Sequence, residues 1–234
     1  MKVAENRLAD ALQQCGDTDF LVANHGFLRA CGRPRGGRLL FAHGAGAGTG
    51  SPFMRQFVAA LAEHDIQVLT FEFAYMQRIS ETGRRRPPPP AATLVAAFAR
   101  WYELIVSQVK GPVWLGGKSM GGRIASLLAA QRAVDGLVIA GYPFHPPRSP
   151  EKQRLAHWPS VDCPALILQG ERDPFGTYAE VMTYSLPANV TLKWLRQADH
   201  DFVPRQVTGL SQQNLIDEAA RCAACFVRAE GRAR

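Results

Sequence analysis

An α/β architecture, a mainly parallel sheet with helices on both faces, follows from two patterns in the chain. Apolar runs of strand length alternate with segments whose apolar residues recur at helical spacing. The 234 residues, 47% of them hydrophobic, suffice for one full core, so a single domain over 1–234 is expected.

In chain order, Phe20 to Val22 and Gly26 to Ala30 are weak strand signals that would open the sheet at its edge. Leu39 to Ala42 is a stronger strand. Ser51-Pro52 then supplies an N-cap and a proline at the first helical position, for a helix that buries Met54, Phe57, Val58 and Leu61. The next strand runs from Ile66 to Phe73. Arg84-Arg85-Arg86-Pro87-Pro88-Pro89-Pro90 is the low-complexity stretch, read as an extended spacer. From Ala91 to Val109, the series Leu94, Phe98, Trp101, Ile105, Val109 has helical spacing and marks an amphipathic helix on the sheet. Strands at Val113 to Gly116, Gly136 to Ala140, Ala165 to Leu168 and Val190 to Leu195 alternate with helices from about Gly121 to Gln131 and from Ser211 to Val227.

The chain carries 27 basic against 20 acidic residues, a net +7 concentrated at Arg84 to Arg86, Arg148 to Arg154 and Arg228 to Arg234. Basic residues spread over loops and a terminus, without an aromatic-interleaved module, argue against a nucleic-acid partner. The longest apolar stretch falls short of a membrane span. Five cysteines (Cys15, Cys31, Cys163, Cys222, Cys225) and a start without a secretory apolar run predict a reducing cytoplasm. Cys222 and Cys225 have metal-pair spacing but no second pair. Cys222 is instead assigned to a core face with Leu215, Ala219 and Phe226.

"GGKSMGGR" (Gly116 to Arg123) offers two chemistries. A phosphate-binding loop needs a glycine five positions before Gly117, but Pro112 stands there, and the intervening Val113-Trp114-Leu115 is better used as a strand. A nucleophile elbow needs a strand, a tight turn with serine at its tip, an immediate helix, and small residues two before and two after the serine. Gly117, Ser119 and Gly121 meet that pattern.

The remaining parts follow in the order that such an elbow requires. Asp173 lies on the loop after Ala165 to Leu168, in Gln169-Gly-Glu-Arg-Asp-Pro-Phe-Gly176, and His200 lies beyond Val190 to Leu195. A serine hydroxyl attacks only when an imidazole takes its proton, and a carboxylate holds that imidazole in the right tautomer. The loop Phe41 to Gly48 follows a strand at the place for an oxyanion loop, so the backbone N–H groups of Ala45 and Met120 are the expected donors. His43 is read as shaping that loop, Glu171 as a competing acid, and His145 as a rim residue. Asp199 and Asp201 flank His200 and offer it a salt-bridged surface role instead.

"LLFAHGAGAG", "SPFM", "FEFAYM", "GGKSMGGR", "GYPFHPP" and "LQGERDPFG" together resemble the α/β-hydrolase branch related to dienelactone hydrolases. That branch includes the testis-expressed hydrolase-like proteins and a subunit of a nuclear acetyltransferase complex. The resemblance spans about Leu39 to Phe202. It implies an α/β-hydrolase fold with Ser119, Asp173 and His200 as the triad, but no particular substrate. Dienelactone hydrolases use cysteine at the position of Ser119, so their substrate is not carried over, and Met1 to Arg38 aligns with no motif of the branch. The acetyltransferase-complex relative points to a second reading, a non-enzymatic protein-binding scaffold.

The expected activity is a serine hydrolase acting on a small-molecule ester or thioester, with no cofactor, no metal and no nucleic-acid or membrane partner. The span from Ala140 to Ala165 is too short for a large cap, which predicts an open pocket for short or flexible acyl groups. Arg84, Arg85, Arg86, His145 and Arg148, with Lys152 and Arg154, form the expected substrate rim and favour an anionic substrate.

Overall fold

Nine strands among the described residues of the computed structural model, 2–3, 7–14 and 16–232, join in one sheet. They are β1 (Lys2–Val3), β2 (Thr18–Val22), β3 (Gly26–Cys31), β4 (Gly37–Ala42), β5 (Ile66–Phe71), β6 (Val113–Lys118), β7 (Leu137–Ala140), β8 (Ala165–Gly170) and β9 (Val190–Leu195). Their spatial order is β1-β2-β3-β5-β4-β6-β7-β8-β9. Every pairing from β5 across to β9 is parallel, while β3 runs antiparallel to both β2 and β5. This is the mainly parallel sheet that the alternating pattern predicts. Cys15 and Arg234 lie outside the described residues.

The helices are α1 (Leu8–Gln14), α2 (Pro52–Glu63), α3 (Ala74–Thr82), α4 (Ala91–Gln108), α5 (Met120–Ala129), α6 (Tyr178–Val181) and α7 (Gln212–Arg232). Central strands bury both faces, and their side chains alternate between two cores. Leu40, Leu115, Ile139 and Ile167 meet α4 and α5 on one face. Leu39, Trp114, Val138 and Leu166 point to the opposite face, toward α2 and α7. Each such side chain, wholly withdrawn from water, contributes roughly 1.5–3 kcal/mol.

The differences from expectation have local causes. β5 ends at Phe71 because Phe73 turns away to cap α3, and its N–H goes to the His43 ring rather than to the ladder. β6 runs on to Lys118, since Gly117 and Lys118 continue the register with Ile139 and Ala140. On α7 the core stripe is Leu215, Ile216, Ala219, Ala220, Ala223, Ala224 and Val227, so Cys222 is not a core residue. It sits half-buried at the margin, where the stripe of small alanines that brings α7 close to α2 places Ala223 inward instead.

Between β7 and β8 the chain adds only a short 3-10 turn, Trp158–Ser160, and among the described residues no large cap domain is inserted there. No described helix is long and apolar enough to cross a membrane. The loops that carry Ser119, Asp173, His200 and Ala45 leave the C-terminal ends of β6, β8, β9 and β4, which is where parallel sheets gather their ligands.

Candidate active site

Ser119 occupies the turn between β6 and α5 with φ 53° and ψ −114°, a conformation costly for a residue with a side chain. The strain holds because both flanks are pinned. The Ser119 N–H donates to the Ala140 carbonyl at 2.9 Å, and its own carbonyl accepts the Arg123 N–H at 3.0 Å. The flanking glycines are needed for proximity. A Cβ on Gly121 would stand 2.5 Å from the Ala42 carbonyl oxygen and 2.6 Å from that of His43, and one on Gly117 would meet the Gly121 and Gly122 backbone.

Asp173 and His200 come together. His200 Nδ1 lies 2.7 Å from Asp173 Oδ2, with Asp173 wholly buried. An unpaired buried carboxylate is expensive, and here three donors meet its oxygens. The Phe175 N–H donates to Oδ1 at 2.9 Å and Gln169 Nε2 donates to Oδ2 at 3.0 Å, beside the His200 ring. Because the carboxylate accepts from Nδ1–H, Nε2 of His200 is left as the acceptor, and His200 and Ser119 border the same cavity. Phe175 packs on the imidazole with ring centroids 4.5 Å apart. Glu171 is directed elsewhere: its carboxylate accepts the Gln197 N–H at 2.8 Å. Gln169 was not among the expected residues. Its signal is a lone amide in the apolar run Ala165-Leu-Ile-Leu-Gln169.

The loop after β4 is clamped from beneath. The buried His43 ring accepts the Phe73 N–H at Nε2 (3.1 Å) and donates from Nδ1 to the Gly44 carbonyl (2.7 Å). Burial, only partly opposed by the Gly44 carbonyl and Glu72, holds its pKa below the ordinary histidine value, which suits a ring that accepts at Nε2. Tyr75 Oη donates to the Ala45 carbonyl at 2.9 Å. Ala45 and Met120 border the same cavity as Ser119, and among the described residues neither N–H is given to a backbone acceptor. Two such N–H groups beside a serine can donate to a developing oxyanion.

Lys118, next to the serine, is buried. Its Nζ donates to the His200 carbonyl at 2.8 Å, lies 3.1 Å from Asp201 Oδ1 and stands 5.1 Å from the centre of the Phe53 ring. Desolvation lowers its pKa, while Asp201 and then Asp173 pull the other way. Lys118 thus ties the His200 loop to the end of β6.

Two cavities meet at Ser119. One, of about 450 Å³, is bordered by His200, Lys118, Phe53 and Phe175. The other, of about 290 Å³, is bordered by Met120, Arg123, Ile124, Pro88, Pro89 and Arg154. The proline segment is therefore a wall of the site and not merely a spacer. The expected rim needs correction. Arg84, Arg85, Arg86 and Arg148 are exposed and border neither cavity, because their loops splay into solvent. His145 is buried, not a rim residue: its backbone N–H donates to the Phe175 carbonyl at 3.2 Å and its Nε2 lies 3.4 Å from Glu180. The neighbouring "GYPF" aromatics draw that loop inward. Of the anticipated basic residues only Arg154 borders the site, joined by Arg123, which had been read simply as part of the helix.

Among the described residues no cluster of three or more His, Cys, Asp or Glu side chains could hold a metal ion.

Residues 35–228 match the model of the alpha/beta hydrolase domain family. Comparison with curated protein sequences returns no match. In fold, the chain is similar to an alpha-beta serine hydrolase homologue from Coxiella burnetii, with 21% identity, a TM-score of 0.61, and 89% of this chain and 98% of that one covered. It is similar to a dienelactone hydrolase from Anabaena variabilis, with 21% identity, a TM-score of 0.65, and coverage of 90% and 96%. A serine hydrolase without lid from Xanthomonas campestris aligns at 16% identity with a TM-score of 0.57, covering 88% of this chain and 94% of the other.

Proposed function

Since the chain belongs to the alpha/beta hydrolase domain family, we propose that it is a serine hydrolase that cleaves an ester or thioester through an acyl-enzyme on Ser119. The observation that carries this reading is the His200–Asp173 contact of 2.7 Å beside a strained Ser119 at the mouth of a cavity. His200 Nε2 takes the hydroxyl proton as Ser119 Oγ attacks the carbonyl carbon. The resulting oxyanion is held by the Ala45 and Met120 N–H groups. His200 then protonates the departing alkoxide or thiolate as the tetrahedral species collapses to the acyl-enzyme. Water, deprotonated by the same nitrogen, attacks the acyl carbon and releases the acid and Ser119. Asp173 stays ionised throughout and stabilises the imidazolium.

We further propose, on the motifs it shares with them, that the protein falls in the branch containing the testis-expressed hydrolase-like proteins and the acetyltransferase-complex subunit. It acts as one domain in the cytoplasm. The open strand ends, without a cap, suit short or flexible acyl groups.

A fluorophosphonate probe read by intact mass tests the activity. One adduct on the wild type, absent in Ser119→Ala and strongly slowed in His200→Ala, is expected. A wild-type protein that takes no adduct across the neutral and alkaline range would instead favour the scaffold reading.

A further inference from the structure

The two cavities at Ser119 are chemically unlike. In the larger one the one cation, Lys118, is neutralised by Asp201 at 3.1 Å. In the smaller one, Arg123 and Arg154 both border the space, and among the described residues neither guanidinium forms an ion pair. Arg123 Nε is buried with no hydrogen-bond partner. The side-chain hydrogen bond of Arg154 is a long one, 3.4 Å from Nη1 to the Pro143 carbonyl. Two like charges that border one cavity and lack a countercharge are unfavourable unless an anion completes them.

The charges are felt by their neighbours. Burial and then the Arg123 charge pull the Arg154 pKa down, opposed only by Tyr142. Burial and the same Arg123 charge hold His157 at about 4. His157 cannot relieve the site by accepting a charge, since it would add a third cation.

Which part of a substrate enters this cavity follows from the proposed chemistry, on which the inference rests. His200 must reach the leaving oxygen to protonate it, so the alcohol side occupies the cavity that His200 borders. The acyl chain therefore extends the other way, past Met120. Arg123 lies one turn along α5 from Ser119, roughly 6 Å of axial rise, and the walls between are apolar: Pro88, Pro89, Leu94 and Ile124. A short methylene spacer ending in a planar, doubly accepting anion fits that sequence of surfaces.

We propose that Arg123 and Arg154 form an anion subsite for the far end of the acyl group, so that the preferred substrates are half-esters of short dicarboxylic acids. The subsite reads the acyl carboxylate and leaves the alcohol portion unselected by charge.

The test compares p-nitrophenyl hemiglutarate with p-nitrophenyl pentanoate at low salt. The wild type is expected to favour the hemiglutarate in kcat/KM. The ratio of the two kcat/KM values is expected to fall on the order of tenfold to a hundredfold in Arg123→Gln and in Arg154→Gln, as befits loss of a charge-assisted hydrogen bond. A ratio that is near one in the wild type, or unmoved in both variants, overturns the subsite. Two variants on different segments guard against one failing to fold. Calorimetry of monomethyl glutarate on the Ser119→Ala protein needs no turnover. Binding that is lost in Ser119→Ala/Arg123→Gln supports the subsite even should Ser119 prove unreactive to the fluorophosphonate, and absence of binding to Ser119→Ala overturns it.

Discussion

At the scale of single residues, the choice between two carboxylates is decided by direction. Asp173 and Glu171 share one loop and one chemistry, yet Asp173 reaches His200 while Glu171 accepts the Gln197 N–H. Asp173→Asn is therefore expected to lower kcat on the order of 10⁴-fold, because the amide favours the wrong tautomer of His200. Glu171→Gln keeps an acceptor for Gln197 and is expected to leave kcat close to wild type; steady-state rates on one activated ester compare the two. The Asp173–His200 pairing was legible because each residue follows its strand in the expected order. Arg123 was not: helical spacing puts it one turn from Ser119, but spacing alone does not reveal that among the described residues it forms no ion pair. Lys118 was equally opaque, since its partners, the His200 carbonyl and Asp201, are brought to it by a distant loop.

At the scale of elements, the elbow depends on how closely β6, α5 and the end of β4 approach. Gly121→Ala drives a methyl against two backbone carbonyls, those of Ala42, which the parallel ladder holds in place, and of His43 just beyond it. A loss of about 1–3 kcal/mol is expected, seen as a lower urea midpoint, together with a fall in kcat as Met120 and its N–H are displaced. Gly46→Ala is the matched control. Nothing lies within 4 Å of a Cβ there, and the midpoint is expected to stay within about 0.5 kcal/mol of wild type. Strands and long helices were readable from period. The two-residue β1 and the short helices α1, α3 and α6 were not predicted: α1 spans seven residues, α3 buries only Tyr75 and Met76, and α6 spans four residues.

At the scale of the whole molecule, stability is linked to pH through histidines kept neutral inside. His157 Nε2 lies 2.8 Å from the buried Ser126 Oγ, and burial followed by the Arg123 charge lowers its pKa from 6.5 to about 4. Above pH 6.5 it is neutral folded and unfolded alike. As pH falls from there toward 4, the unfolded chain takes up a proton that the folded one refuses, so stability declines. Buried His43, with its depressed value, acts in the same sense. After screening at the partly exposed His157, a loss of about 1 kcal/mol is expected from that residue. Urea unfolding at several pH values in wild type and His157→Gln measures it, and a slope unchanged in the variant would exclude His157 as the source.

By itself the sequence determined the α/β layering, the elbow and the order of Ser119, Asp173 and His200. Those rest on short-range periodicity and on strand-to-loop adjacency, which the chain carries locally. Only the tertiary structure decided which arginines border the cavity, that His145 is buried, and that Lys118 serves the His200 loop. Each depends on the packing of loops from separate strands, where burial and the presence or absence of a countercharge are set by neighbours far away in the chain.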